Sequence, residues 1–255
     1  MAYRIIIDPG HGGSDPGATY NGRQEKDDAL SIAMTVGELL KNAGYDVVYT
    51  RTTDVYNTPF EKATIGNEAK GDLFVSFHRN SSPMANMYNG IQTLVYNDSG
   101  FKGLLARNIN KNLAALGFED KGIVERPNLV VLKRTKMPAV LLELGFINSE
   151  KDNEIFDTKF NEMAQAIADG IIDTLNDQGI QANEITIYRV QVGAFRNGIL
   201  ANNMANQLIN RGYKAKVINE DCLYKVVVGN FENLDNAVIT EQKLRSEGYN
   251  TFIRT

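Results

Sequence analysis

Four residues of this chain have the types and spacing to do chemistry together: His11, Glu25, His78 and Glu143. The chain has only two histidines, and each stands at the close of an apolar run, in IIIDPGHGG and LFVSFHRN. Glu143 closes a third run, VLLELGF, and Glu25 follows the first within a Gly- and Asp-rich stretch. Strand ends are where open α/β sheets build their sites. Two histidines and two glutamates there match a zinc hydrolase, which needs three ligands, one open position and one acid/base. A carboxylate after the apolar VLL is costly to bury without a role. Each residue also has a structural reading. A strand-end histidine can be a hydrogen-bonded structural group, and a glutamate near a helix start can serve the helix dipole.

Hydrophobic patterning supplies the elements that must position these side chains. Residues 2–7, 45–51, 71–78, 91–97, 128–133 and 138–145 read as strands. Residues 24–43, 58–69, 100–116 and 157–175 read as helices, the second entered through Thr58 and Pro59. Strands alternating with helices imply an α/β domain with a mainly parallel sheet. If the strands are parallel, His11, Glu25 and His78 can converge at one sheet edge. The expected domain spans 1–176, and the polar segment 177–186 reads as a linker.

An internal repeat follows over 187–255. YRVQVGAF from Tyr188 matches YKVVVGNF from Tyr224, and each copy continues into a helix and a closing strand. Two β-α-β copies imply a small ferredoxin-like βαββαβ unit with one sheet face open. Alternation along the first strand puts Val190 and Val192 on the covered face and Gln191 on the open one. Phe195 and Phe231 fit either sugar stacking or a plug at the core's end.

The motifs DPGHGG, Glu25, SFHRN and RPNLVVLKRTKMPAVLLELGFINSEKD, in that order, resemble the zinc-dependent N-acetylmuramoyl-L-alanine amidases of the Amidase_3 type. The resemblance covers about residues 3–175. It implies a three-layer α/β/α fold around a mostly parallel sheet of about six strands. It implies one Zn2+ bound by His11, Glu25 and His78, with Glu143 as the catalytic carboxylate and Asn80 lining the site. The implied reaction is hydrolysis of the amide between N-acetylmuramic acid and L-alanine of the peptidoglycan stem peptide, by zinc-activated water with Glu143 as general base and acid. Arg79 departs from the family, which often has a small residue there; a solvent-facing cation is expected. The second unit resembles a SPOR domain, which implies peptidoglycan glycan binding, with Gln191 at a position often polar in that family.

Composition narrows the partners. The 255 residues are 43% hydrophobic and 23% charged, with net charge −4 and no dense Lys/Arg run, which argues against nucleic acid. No apolar stretch approaches the ~20 residues of a membrane helix. The single Cys222 sits in a strand-like CLYKVVV and is expected to be a small buried residue. No signal peptide is visible, so the expectation is synthesis in the cytoplasm and action on the wall after holin-type release or mother-cell lysis. A phage endolysin and a sporulation hydrolase both fit, and a monomer is favoured. The rival readings are an inactive or regulatory wall-binding protein and a zinc amidohydrolase acting on a small peptide. A wall-binding second domain weighs against the latter, because a diffusible substrate needs no polymer anchor.

Overall fold

The computed structural model describes residues 3–180 and 187–255. It divides into two compact units, 1–183 and 184–255. The first is an α/β unit whose strands β1 (Arg4–Pro9), β4 (Asp46–Tyr49), β5 (Leu73–Asn80), β6 (Ile91–Val95), β7 (Asp120–Glu125) and β8 (Ala139–Phe146) form one sheet in the order β4-β1-β5-β8-β6-β7. A two-residue ribbon, β2 (Thr19–Tyr20) and β3 (Arg23–Gln24), precedes the first helix. The helices are α1 (Glu25–Asn42), α2 (Pro59–Glu68), α3 (Gly100–Ala114), α4 (Val130–Arg134), α5 (Glu150–Thr158) and α6 (Phe160–Asp177).

The three central strands are almost wholly buried because both their faces are covered. Ile5, Ile7, Val75, Phe77, Val140 and Leu142 face the larger core, shared with residues of α1, α3 and α6. Ile6, Phe74 and Leu141 face the other side, with Val131 and Leu132 of α4. Parallel pairing brings Pro9 beside Phe77 and His78 beside Glu143, so the ends of β1, β5 and β8 meet at one edge. α2 starts with a capping box, Thr58 and Glu61 bonding reciprocally, and carries Pro59 at its first position.

Several local expectations need correction. Residues 128–133 are not a strand: they hold the short helix α4, whose Val131 and Leu132 pack on the sheet. Four consecutive apolar residues are too few for period to separate strand from helix. β7 was not expected; its sequence DKGIVE is half exposed at the sheet margin. β6 runs antiparallel to β8, the one reversed pairing of a mostly parallel sheet. The last helical stretch is two helices, with α5 starting at Glu150.

The second unit is built from β9 (Tyr188–Phe195), α7 (Gly198–Asn210), β10 (Ala215–Glu220), β11 (Leu223–Phe231), α8 (Leu234–Ser246) and β12 (Phe252–Arg254). Its antiparallel sheet has the order β10-β11-β9-β12. Val190, Val192, Val226 and Val228 pack against Ala201, Leu208 and Leu244 of the helices, and Phe195 and Phe231 join this core from its margin. Cys222 is exposed and not a core residue. It lies with Asp221 between β10 and β11, both at positive φ, as a two-residue hairpin turn requires. The expected linker falls largely on 181–186, outside the described residues. Among the described residues no helix is long and apolar enough to cross a membrane.

Phe74 is fully buried on the α2/α4 side of the sheet. Phe74→Ala is expected to cost about 3–5 kcal/mol of unfolding free energy, read by urea denaturation. A loss below about 1 kcal/mol would contradict this packing.

Candidate metal centre

The site is assembled at the edge where β1, β5 and β8 end. β1 runs into a glycine loop in which His11 takes φ 55, a left-handed conformation that a non-glycine residue adopts at a cost. Two buried cations hold the loop. Arg51 donates to the carbonyls of Pro9 (3.2 Å) and Gly10 (2.7 Å), and Lys62 donates to Pro9 as well. Glycine is needed at two points here. A Cβ on Gly10 would lie 2.5 Å from the His78 ring, and one on Gly17, at φ +65, would lie 2.6 Å from the Glu25 carboxylate.

Glu25 opens α1, where the positive end of the helix favours a carboxylate. Its Oε1 lies 2.9 Å from His11 Nε2 and 2.8 Å from His78 Nδ1, and accepts the Arg79 backbone N–H at 3.1 Å. Its Oε2 accepts the backbone N–H of Ala18 at 2.9 Å. Burial works against the Glu25 charge, but the bonds to His11 and His78 outweigh it and hold the carboxyl well below the usual range. Burial likewise disfavours charge on His11, while Glu25 and Asp15 outweigh it and raise the ring's pKa.

One donor atom each from His11, Glu25 and His78 falls within 4.8 Å of the others. The chemistry of this donor set fits a metal. His11 Nδ1 faces Asp15 Oδ2 at 2.8 Å, which places a proton on Nδ1. Nε2 is then the ring atom turned towards the Glu25 carboxylate oxygen, 2.9 Å away. Without a metal a proton on Nε2 fills that gap; a divalent ion would take its place and serve all three donors. Asp15 is the outer partner that fixes such a ring's tautomer.

Glu143 stands beside His78 in the sheet register. Its Oε2 is buried and has no hydrogen-bond partner among the described residues. Burial pushes its carboxyl up to about 7. Asn80 ends β5, one strand pleat beyond His78, and its side-chain oxygen accepts from the Ser81 backbone at 2.8 Å. Gln191 lies in the second unit, nearly fully buried, on the floor of an open-face pocket with Tyr188, Lys225 and Arg254.

Arg79 is not solvated as expected: it is 2% exposed. Its guanidinium donates to Asp28 (2.6 Å) and Asn153 (2.7 Å) and lies 4.3 Å from the centre of the Phe156 ring. Burial lowers its pKa to about 10, although Asp28 favours the charge. Asp28 also binds Arg23 at 2.7 Å, and Arg23 reaches Asp157. The residue beside His78 therefore ties β5 to α1 and α5. Asp15, Asp28, Arg51 and Lys62 are contributors that the sequence reading missed. Of these, Asp15 alone has a sequence signal, its place four residues after His11 in the same loop.

Comparison with known proteins agrees with this architecture. Residues 5–173 match the N-acetylmuramoyl-L-alanine amidase family and residues 185–255 match the SPOR domain. The chain belongs to the N-acetylmuramoyl-L-alanine amidase family and carries a SPOR domain after the amidase domain. It is 33% identical over 224 residues to the sporulation-specific N-acetylmuramoyl-L-alanine amidase of Bacillus subtilis (strain 168), covering 86% of this chain and 85% of that one. It is 35% identical over 184 residues to the endolysin of Bacillus phage SPP1, covering 69% of this chain and 67% of that one. Among solved structures, an N-acetylmuramoyl-L-alanine amidase from Clostridium difficile 630 superposes with TM-score 0.65 at 34% identity, over 70% of this chain and 99% of that one. The catalytic domain of CwlV from Bacillus (Paenibacillus) polymyxa var. colistinus gives TM-score 0.63 at 35% identity, over 68% of this chain and 98% of that one.

Asp15→Ala is expected to weaken binding of a divalent metal about 10–100-fold by freeing the His11 ring. Chelator competition measures this, and unchanged affinity would remove Asp15 from the centre.

Proposed function

We propose that this protein hydrolyses the amide joining N-acetylmuramic acid to L-alanine of the stem peptide in peptidoglycan, with one zinc ion held by His11, Glu25 and His78. The observation that carries this reading is the convergence of those three donors beside Glu143, a buried carboxylate with one oxygen unbonded among the described residues. Zinc in this position supplies Lewis-acid polarisation of the scissile carbonyl and lowers the pKa of the attacking water.

The chain's own residues do the rest. Glu143 takes a proton from the attacking water and returns it to the leaving amine. Its burial favours a bound proton, which suits a group that must both take one and give it back. Asp15 keeps the His11 proton on Nδ1 and so leaves Nε2 free as a donor atom. The Arg79 backbone N–H orients the Glu25 carboxylate. Asn80, just past His78, is assigned to the lining of the substrate's path.

The SPOR domain is assigned to holding the enzyme on glycan strands, with Gln191 as a contact on the open sheet face. The relatives named an endolysin and a sporulation-specific amidase support a setting on the cell wall, in phage lysis or in mother-cell lysis.

Purified peptidoglycan treated with the full chain should release free amino groups without new reducing sugars. New reducing ends would mean a glycosidase instead. Glu143→Ala is expected to keep its zinc and lose activity by roughly a hundred- to ten-thousand-fold. Full activity in that variant would remove Glu143 from the reaction. His11→Ala should lose both zinc, by elemental analysis, and activity.

A further inference from the structure

Glu143 is the last residue of β8 with register partners on both sides. It stands against His78 of β5 and against Gln92 of β6. Pairing with β5 resumes only at Asn80 against Phe146. Leu144 and Gly145 of β8 thus stand against the single residue Arg79 of β5, which is a β-bulge. Gly145 takes φ +79 there, a left-handed conformation that glycine adopts without strain. Bulges occur beside active sites, where they re-aim a side chain, but they also disrupt the ladder.

Two buried charges hold this irregular strand end. Asp152, in the first turn of α5, is 0% exposed. Its Oδ2 accepts the backbone N–H of Phe146 at 2.7 Å and that of Gly90 at 2.8 Å. One carboxylate oxygen therefore joins the end of β8 to the chain entering β6. The Ser149 hydroxyl accepts the Asp152 N–H at 3.2 Å and fixes the start of α5. A Cβ on Gly145 would lie 2.9 Å from the Asp152 Cβ, so α5 packs directly on the bulge. The Arg79 guanidinium lies 3.4 Å from the carbonyl oxygens of both Gly145 and Phe146, while its shorter bonds run to Asp28 and Asn153. Asp152 Oδ1 is buried with no partner among the described residues. A carboxylate buried with one oxygen unsatisfied is costly and calls for a reason.

Glu143 supplies that reason. Its Oε2 has no hydrogen bond among the described residues, so its position follows the strand that carries it. A general base must come within about 2.6–3.2 Å of the proton it takes. A misplacement of about 1 Å can cost roughly a hundredfold in rate. The metal donors have supports of their own: Asp15 on His11, and the backbone N–H groups of Ala18 and Arg79 on Glu25. None of these comes from α5, so the metal centre and the seat of Glu143 are held separately.

We propose that Asp152 is a positioning residue for Glu143: its buried carboxylate replaces the hydrogen bonds that the sheet loses at the bulge and so fixes the end of β8, and the proton carrier on it, relative to the metal donors. The proposal rests on the amidase reading above and adds how Glu143 is kept in place.

The test measures amino-group release from soluble, uncrosslinked peptidoglycan strands by the full-length, zinc-loaded chain, with zinc content and melting temperature recorded for each variant and rates taken well below melting. Asp152→Ala removes the acceptor for both N–H groups; Asp152→Asn keeps an oxygen that can accept both. Asp152→Ala should hold its zinc and keep KM within about twofold, while kcat falls about 30–100-fold. Asp152→Asn should recover kcat to within about fivefold of the wild type. Gly145→Ala disturbs the same segment from the strand side and serves should Asp152→Ala fold poorly; it should lower kcat about tenfold or more with zinc retained. An unchanged kcat in these variants, a loss carried by KM, or a loss of zinc in step with activity would each overturn the proposal. A defect that Asp152→Asn fails to recover would overturn it too, since charge and not hydrogen bonding would then be at work. A wild type that releases no amino groups would overturn the amidase reading itself, and this proposal with it.

Discussion

The catalytic unit depends on one buried carboxylate. Glu25 Oε1 is the point on which both imidazoles and the Arg79 backbone converge, at 2.8–3.1 Å. Burial alone would disfavour a charge there. The charge is kept by the N-terminus of α1, by two backbone N–H donors and by the histidine rings. His11 comes from the loop after β1, His78 from β5 and Glu25 from α1, so the parallel sheet and its first crossover helix must be in register for this convergence to exist. Gly10 and Gly17 let the rings and the carboxylate come this close, since a Cβ at either would collide with them.

The surroundings hold that geometry by bonds to main chain. Arg51 and Lys62 are buried cations whose targets include the carbonyls of the His11 loop. Arg79 does the same work on the other flank, joining β5 to Asp28 of α1 and to Asn153 and Phe156 of α5. Removing one partner from such buried charges leaves the other uncompensated, which is why cations of this kind are costly to replace singly. The same arrangement leaves Glu143 apart. It is buried beside His78, with one oxygen unbonded among the described residues.

Much of this was legible in the sequence, for physical reasons. With only two histidines, each after an apolar run, the candidate donors were few, and an α/β alternation fixes where strand ends gather. The 36-residue offset between Tyr188 and Tyr224 exposed the second unit's βαββαβ order. What was misread depended on contacts distant in sequence. Residues 128–133 carry too short an apolar run to show a period, so pattern alone does not distinguish α4 from a strand. Strand direction leaves no trace in side-chain pattern, which hid the reversal of β6. Arg79 looked like a surface cation because its partners Asp28 and Asn153 lie 51 and 74 residues away. Cys222 resembled the strand that follows it, yet it occupies the hairpin turn before that strand.

The central claim is that Glu25 and the two histidines hold one zinc ion as a unit. Elemental analysis of the purified full-length chain, beside Glu25→Ala, tests it most directly. One zinc per chain in the wild type, and almost none in a folded Glu25→Ala variant, is the predicted result. A wild type that cleaves peptidoglycan after complete removal of metal, or a Glu25→Ala variant that retains a full complement of zinc, would contradict it.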